Sequence, residues 1–101
     1  MKKIFLILIC LIFSSLAFAD SKMKLGLEVF NNKAQCGMCH TLKAAGSEGQ
    51  IGINLDQLKP LMSQVIMAVT NGNGVMPTFE GMLSSEEIEA VSYFVSTSTN
   101  Q

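Results

Sequence analysis

Apolar residues run unbroken from Ile4 to Phe13, and past residue 20 they recur mainly at intervals of three or four. Met23, Leu27 and Phe30 fall at i, i+4 and i+7, a spacing that predicts a helix over about Lys22 to Lys33 with Ser21 or Asp20 as its N-cap. Met62, Val65, Ile66 and Val69 predict a second helix, with Pro60 in its first turn and Asn71-Gly72-Asn73-Gly74 as its stop. Ile88, Val91 and Val95, with Tyr93 and Phe94 alongside, mark a third; Ser84 followed by Glu87 is a capping-box pattern at its start. Ser96 to Gln101 reads as a polar tail. No strand alternation and no internal repeat is evident, so the expected fold class is all-α, a small domain of three main helices plus loops. Two loops are long: Lys43 to Gln57, rich in Gly, Ser and Asn, and Val75 to Met82, with Pro77 and Gly81. Loops of that length in a small domain need something to wrap.

The leading segment is a different kind of sequence. Lys2 and Lys3, the apolar run, Ser14 and Ser15, then Leu16-Ala17-Phe18-Ala19 form a basic start, an apolar centre and a small-x-small site, which reads as a secretory signal cleaved after Ala19. The run is shorter than the roughly 20 apolar residues of a membrane helix. Retention as an anchor is the competing reading, since both uses share the apolar logic. Cys10 lies inside the run and would leave with it. The expected division is residues 1–19 as signal and 20–101 as one exported, periplasmic domain without stable membrane insertion.

Charge then excludes a class of partners. Residues 20–101 hold five lysines (22, 24, 33, 43, 59), no arginine and eight carboxylates, for a net charge of −3. Nucleic-acid binding relies on clustered Lys and Arg, so no nucleic-acid partner is expected. Glycine fingerprints for nucleotides are absent as well. A domain this small is also short of core and calls for a staple. Cys36 and Cys39 are too close in sequence for a disulfide between them to constrain much of the unfolded chain.

Gln35-Cys36-Gly37-Met38-Cys39-His40 contains C-x-x-C-H, the attachment signature of a c-type haem. Residues three apart lie on one side of a helical turn, roughly 5–6 Å apart at Cβ, so both sulfurs can meet one flat ligand while His40 offers an imidazole to its iron. A thioredoxin-type dithiol would need a βαβ pattern. A zinc site would need two more ligands, and residues 20–101 have no further Cys or His. One covalently attached haem c with its iron is the cofactor expected.

A single histidine fills one face of the iron, and methionine is the soft ligand suited to the other. Met23, Met62 and Met67 fall in predicted helices, where methionine fills cores. Met38 lies between the cysteines and cannot reach the far face. Met76 and Met82 remain. Pro77 restricts Met76 to an extended backbone able to hold its side chain outward; Met82, between Gly81 and Leu83, is equally suited to packing. An open sixth site is the third possibility.

These residues resemble the small class I monohaem cytochromes c over nearly all of residues 20–101. The resemblance rests on Gly26 and Phe30 four apart, Cys36-x-x-Cys39-His40, Gly52-x-Asn54-Leu55, Asn73-Gly74-Val75-Met76-Pro77-x-Phe79 and an aromatic Tyr93. It implies three main helices plus loops wrapped around one haem, thioethers at Cys36 and Cys39, His40 as proximal ligand and Met76 as distal ligand. It further implies a crossing of first and last helices through Gly26, Phe30 and Tyr93. Ile53 stands where many members carry a proline whose carbonyl bonds the proximal histidine; the carbonyl is still present at Ile53. With both axial positions filled, the function implied is a single-electron carrier and not an enzyme. Its redox partners would be a donor and an acceptor, including a membrane oxidase or a quinol-oxidising complex, met through a weak apolar patch of Met38, Ile51, Ile53, Val75 and Met82. Two other readings share the motif: a haem subunit of a periplasmic dehydrogenase or oxidase complex, and a gas-binding haem protein with a labile sixth ligand.

Overall fold

A computed structural model of the chain describes residues 17–101. The basic start, the whole apolar run with Cys10, and Ser14 to Leu16 lie outside the described residues. Helix α1 runs through residues 17–28 and continues as a π-helical turn, Val29–Lys33, closed by the Ala34 N–H on the Val29 carbonyl at 2.8 Å. A 3₁₀ turn at Cys36–Met38 follows, then β1 (Thr41–Leu42) and β2 (Ser47–Glu48), a 3₁₀ turn at Lys43–Ala45 between them, α2 (Leu55–Leu58), α3 (Met62–Asn71) and α4 (Ser85–Thr99). The fold is helical, as expected, with α1, α3 and α4 as its main elements.

Four local expectations are corrected. Asp20 and Ser21 do not cap α1, because residues 17–19 are already helical in the full-length chain. Pro60 precedes α3 instead of entering it: Leu61 is the N-cap, and the Gln64 side chain accepts its N–H at 2.9 Å. The first long loop is not wholly irregular. Its Ser47 and Glu48 pair with Leu42 and Thr41 in a two-residue antiparallel ladder, and the short α2, capped by the Asn54 side chain, starts within it. The polar tail is mostly helix. Ser98 and Thr99 donate their hydroxyls to the Phe94 and Val95 carbonyls, each at 2.7 Å, so these polar residues satisfy themselves within the helix. Asn100 ties the end to the Pro60 carbonyl at 3.1 Å.

The core is built where α1 meets α4 and α4 meets α3. Val29, Phe30, Leu42, Val69, Phe79, Leu83, Ile88, Val91, Phe94 and Val95 form one buried cluster. Gly26 permits the α1–α4 approach: a Cβ there would lie 2.3 Å from the Ala90 carbonyl oxygen and 2.5 Å from the Phe94 Cβ. The ring meeting Phe30 is Phe94, edge-on at 6.1 Å, and not the expected Tyr93. Ala90 and Phe94 are four apart and share the face turned to Gly26, whereas the Tyr93 ring meets α1 one turn earlier, with the Lys22 ammonium 5.2 Å from its centre.

Ion pairs join the same two helices. Lys22 pairs with Glu89 at 2.8 Å, and Lys33, in the π turn, pairs with Glu87. Glu87 also completes the capping box: its carboxylate accepts the Ser84 N–H at 2.9 Å while the Ser84 hydroxyl accepts the Glu87 N–H at 3.1 Å. The Lys33 ammonium and then the Ser84 N–H hold the Glu87 carboxyl well below its ordinary 4.5, at about 2. A carboxyl depressed in the fold contributes fully above its unfolded value and loses that contribution as pH falls through the folded one. Glu87→Gln should therefore lower stability at pH 7 and flatten the decline between about pH 4.5 and 2, measured by denaturant unfolding of both proteins at several pH values. Parallel curves would show that Glu87 is not the group responsible.

Candidate functional site

The cysteine turn is placed by the end of α1. Phe30 and Val29 bury the π turn, and Gln35 then takes a left-handed conformation (φ +50°) that redirects the chain into Cys36–Met38. The Cys39 and His40 N–H groups both donate to the Cys36 carbonyl, at 3.1 and 2.9 Å, so Cys36, Cys39 and His40 belong to one tight turn. Both thiols are free and half-buried. Desolvation pushes the Cys36 thiol up from its ordinary 9.0 to about 11. That is the direction of an inert buried cysteine and runs against an activated nucleophile at Cys36.

The loop after the turn is fastened to its back. The Gly52 N–H donates to the Cys39 carbonyl, the Thr41 hydroxyl donates to the Gly49 carbonyl at 2.8 Å, and the Ser47 hydroxyl donates to the His40 carbonyl at 3.0 Å. A Cβ at Gly49 would meet the Gly37 carbonyl oxygen at 2.6 Å, so side chains are excluded where the two strands of chain touch. Gly52 lies against the imidazole itself, where a Cβ would come 2.6 Å from His40 Cε1. In the sequence Ser47 and Gly49 mark only an irregular loop; their roles arise from contact across it, for which spacing gives no signal.

His40 Nδ1 lies 2.7 Å from the Ile53 carbonyl oxygen. A carbonyl only accepts, so the ring proton is on Nδ1 and the Nε2 lone pair is left for a metal. The carbonyl does the work expected of it without the proline.

Met76 is half-buried against the core cluster, and its backbone exchanges two 3.0 Å hydrogen bonds with Asn73. Met82 is 70% exposed and packs in no core. Met67 is also exposed, contrary to its expected role as filler, while Met23 and Met62 are half-buried. The residues fit a haem on the chemistry of their donors: two thiols on one turn, an imidazole with a free Nε2, a thioether on a separate loop. Ile53, Leu58, Leu61 and Val75 present exposed apolar side chains. Among the described residues no cluster of three or more His, Cys, Asp or Glu is placed to hold a bare metal ion. A separate cavity of about 570 Å³, lined by Met62, Ile66, Leu83 and Ile88 among others, contains none of the four candidate groups.

Comparison with known proteins gives the same picture. Residues 21–95 match the family model described as cytochrome c oxidase, cbb3-type, subunit III. Cytochrome c6 of Leptolyngbya boryana is 34% identical, the match covering 69% of this chain and 85% of that protein. Cytochrome c6 of a Synechocystis species is 30% identical over 85% of this chain and 78% of its own. The crystal structure of the c-type cytochrome SorU from Sinorhizobium meliloti superposes with a TM-score of 0.75 at 48% identity, covering 81% of this chain and 95% of that one.

Proposed function

The chain belongs to the small monohaem cytochromes c, electron carriers with one covalently bound haem c, and from that premise we propose that it is a periplasmic carrier whose haem is held by Cys36, Cys39, His40 and Met76. Cys36 and Cys39 would carry the thioethers, and His40 and Met76 would ligate the iron. The observation that carries this reading is the 2.7 Å hydrogen bond from His40 Nδ1 to the Ile53 carbonyl, which fixes the tautomer that leaves Nε2 to the metal. When bound, the haem supplies a one-electron change at its iron. Gly52 keeps the imidazole flat against the loop, the Asn73 bonds hold Met76, and the exposed apolar side chains of Leu58 and Leu61 would help to exclude water from the macrocycle. No described helix is long and apolar enough to cross a membrane. The basic, apolar and small-residue order of residues 1–19 supports export with cleavage after Ala19, which the mass of the protein purified from its own host would read directly.

Met38, Ile51, Ile53, Val75 and Met82 are all exposed and supply the apolar contact for a donor and an acceptor. Low-affinity redox encounters use small surfaces of this kind. The family description as an oxidase subunit favours a second reading, in which the same haem serves a permanent complex. Size measurement of the native protein separates them: a small free species supports the carrier, and a stable large assembly supports the subunit. Expression in a host that attaches haem should yield a pigment that survives acidic acetone and, when reduced, ignores carbon monoxide. A colourless product would end the haem assignment, and rapid carbon monoxide binding would leave the sixth position open.

A further inference from the structure

The last carbonyls of a helix have no partner within it. At the end of α3 two of them are taken by the segment that follows Met76: the Val69 oxygen accepts the Phe79 N–H at 2.9 Å, and the Thr70 oxygen accepts the Thr78 hydroxyl at 2.5 Å. Gly72, at φ +76°, lets this segment lie directly on the helix end, since a Cβ there would come 2.8 Å from the Met76 oxygen and 2.9 Å from the Thr78 nitrogen. Phe79 is buried in the core beyond it. Met76 thus sits in a loop fixed on one side by Asn73 and on the other by Thr78 and Phe79. Among these ties, only that of Thr78 is made by a side chain.

We propose that Thr78 is a positioning residue for the axial methionine: its hydroxyl, bonded to the Thr70 carbonyl, clamps the Met76 loop onto α3 and slows release of the thioether. The inference rests on the reading of Met76 as the distal ligand. Loss of the sulfur from iron requires the loop to lift, and lifting it breaks this bond. Deleting the hydroxyl without changing shape should therefore make opening faster by roughly five-fold, the factor one neutral hydrogen bond supplies.

The test uses the intact haem-loaded protein in its oxidised form and follows imidazole binding at saturating imidazole, where the rate is that of Met76 release. Thr78→Val should open about five-fold faster, and Thr78→Ser, which restores a hydroxyl, should stay near the wild-type rate. Thr70→Val should change nothing, because the acceptor at that residue is its carbonyl. Denaturant unfolding of the same proteins separates local opening from general weakening, since a merely structural role would shift the unfolding midpoint and spare the imidazole rate. An unchanged rate in Thr78→Val, or an equally fast Thr78→Ser, overturns the clamp. Met76→Ala reports on the premise: if it too binds imidazole no faster than wild type, Met76 is not the ligand and the clamp falls with that reading.

Discussion

Replacing Met76 by alanine should open the sixth coordination position: reduced protein that is inert to carbon monoxide in its native form should bind it stoichiometrically, and the oxidised protein should lose its sulfur-to-iron absorption. The midpoint potential should fall, because a thioether raises it. A drop of about 0.1–0.2 V is expected, a modest part of the roughly 0.8 V that axial ligands span. Met82→Ala is the comparison that decides between the two candidates. Met82 is 70% exposed, so its loss should leave the potential, the spectrum and the inertness to carbon monoxide unchanged. Met76 is half-buried, packed against the core and pinned through its own backbone to Asn73. If Met82→Ala opens the site and Met76→Ala does not, the ligand is Met82 and the loop argument fails.

Gly26→Ala should be the most damaging small substitution away from the haem ligands. An added Cβ would stand 2.3 Å from a backbone carbonyl oxygen and 2.9 Å from its carbon at Ala90, and 2.5 Å from the Phe94 Cβ. None of these is the flexible end of a side chain, so α1 and α4 must move apart along the contact that buries Phe30 and Phe94. Overpacking of this kind costs about 3 kcal/mol, and the helix-forming gain of alanine over glycine returns about 1. The net loss of about 2 kcal/mol corresponds to a fall in Tm of about 8–16 °C for a domain of this size, measured by thermal unfolding of the haem-loaded protein. Lys24→Ala, on an exposed part of the same helix, serves as the control and should shift Tm by little. A Gly26→Ala protein with unchanged Tm would mean that the two helices do not touch as described.

Local chemistry explains which readings of the sequence held. Ser84 and Glu87 form their capping box because both partners lie within one turn, and Asn71-Gly72 ends α3 where a left-handed glycine is available. Cys36, Cys39 and His40 share a turn for the same reason. The misjudged segments turned on local bonding and helix extent that residue type alone does not announce. Ser96 to Thr99 read as a polar tail, yet the Ser96, Ser98 and Thr99 hydroxyls bond back onto α4 and Thr99 is buried. Asp20 and Ser21 looked like caps only because helix was not expected before them.

That the domain is helical, that it carries two thiols and an imidazole at haem-binding spacing, and that residues 20–101 hold no further Cys or His for a zinc site are all legible in residue identity and short-range periodicity. Only the packed chain shows that Phe94 and not Tyr93 is the ring that meets Phe30, that the Ile53 carbonyl reaches His40 without a proline, and that Thr78 meets the end of α3. Each of those joins residues from eight to more than sixty positions apart. One-dimensional spacing carries no information about which backbone oxygen a folded loop will present, and packing of the helices settles it.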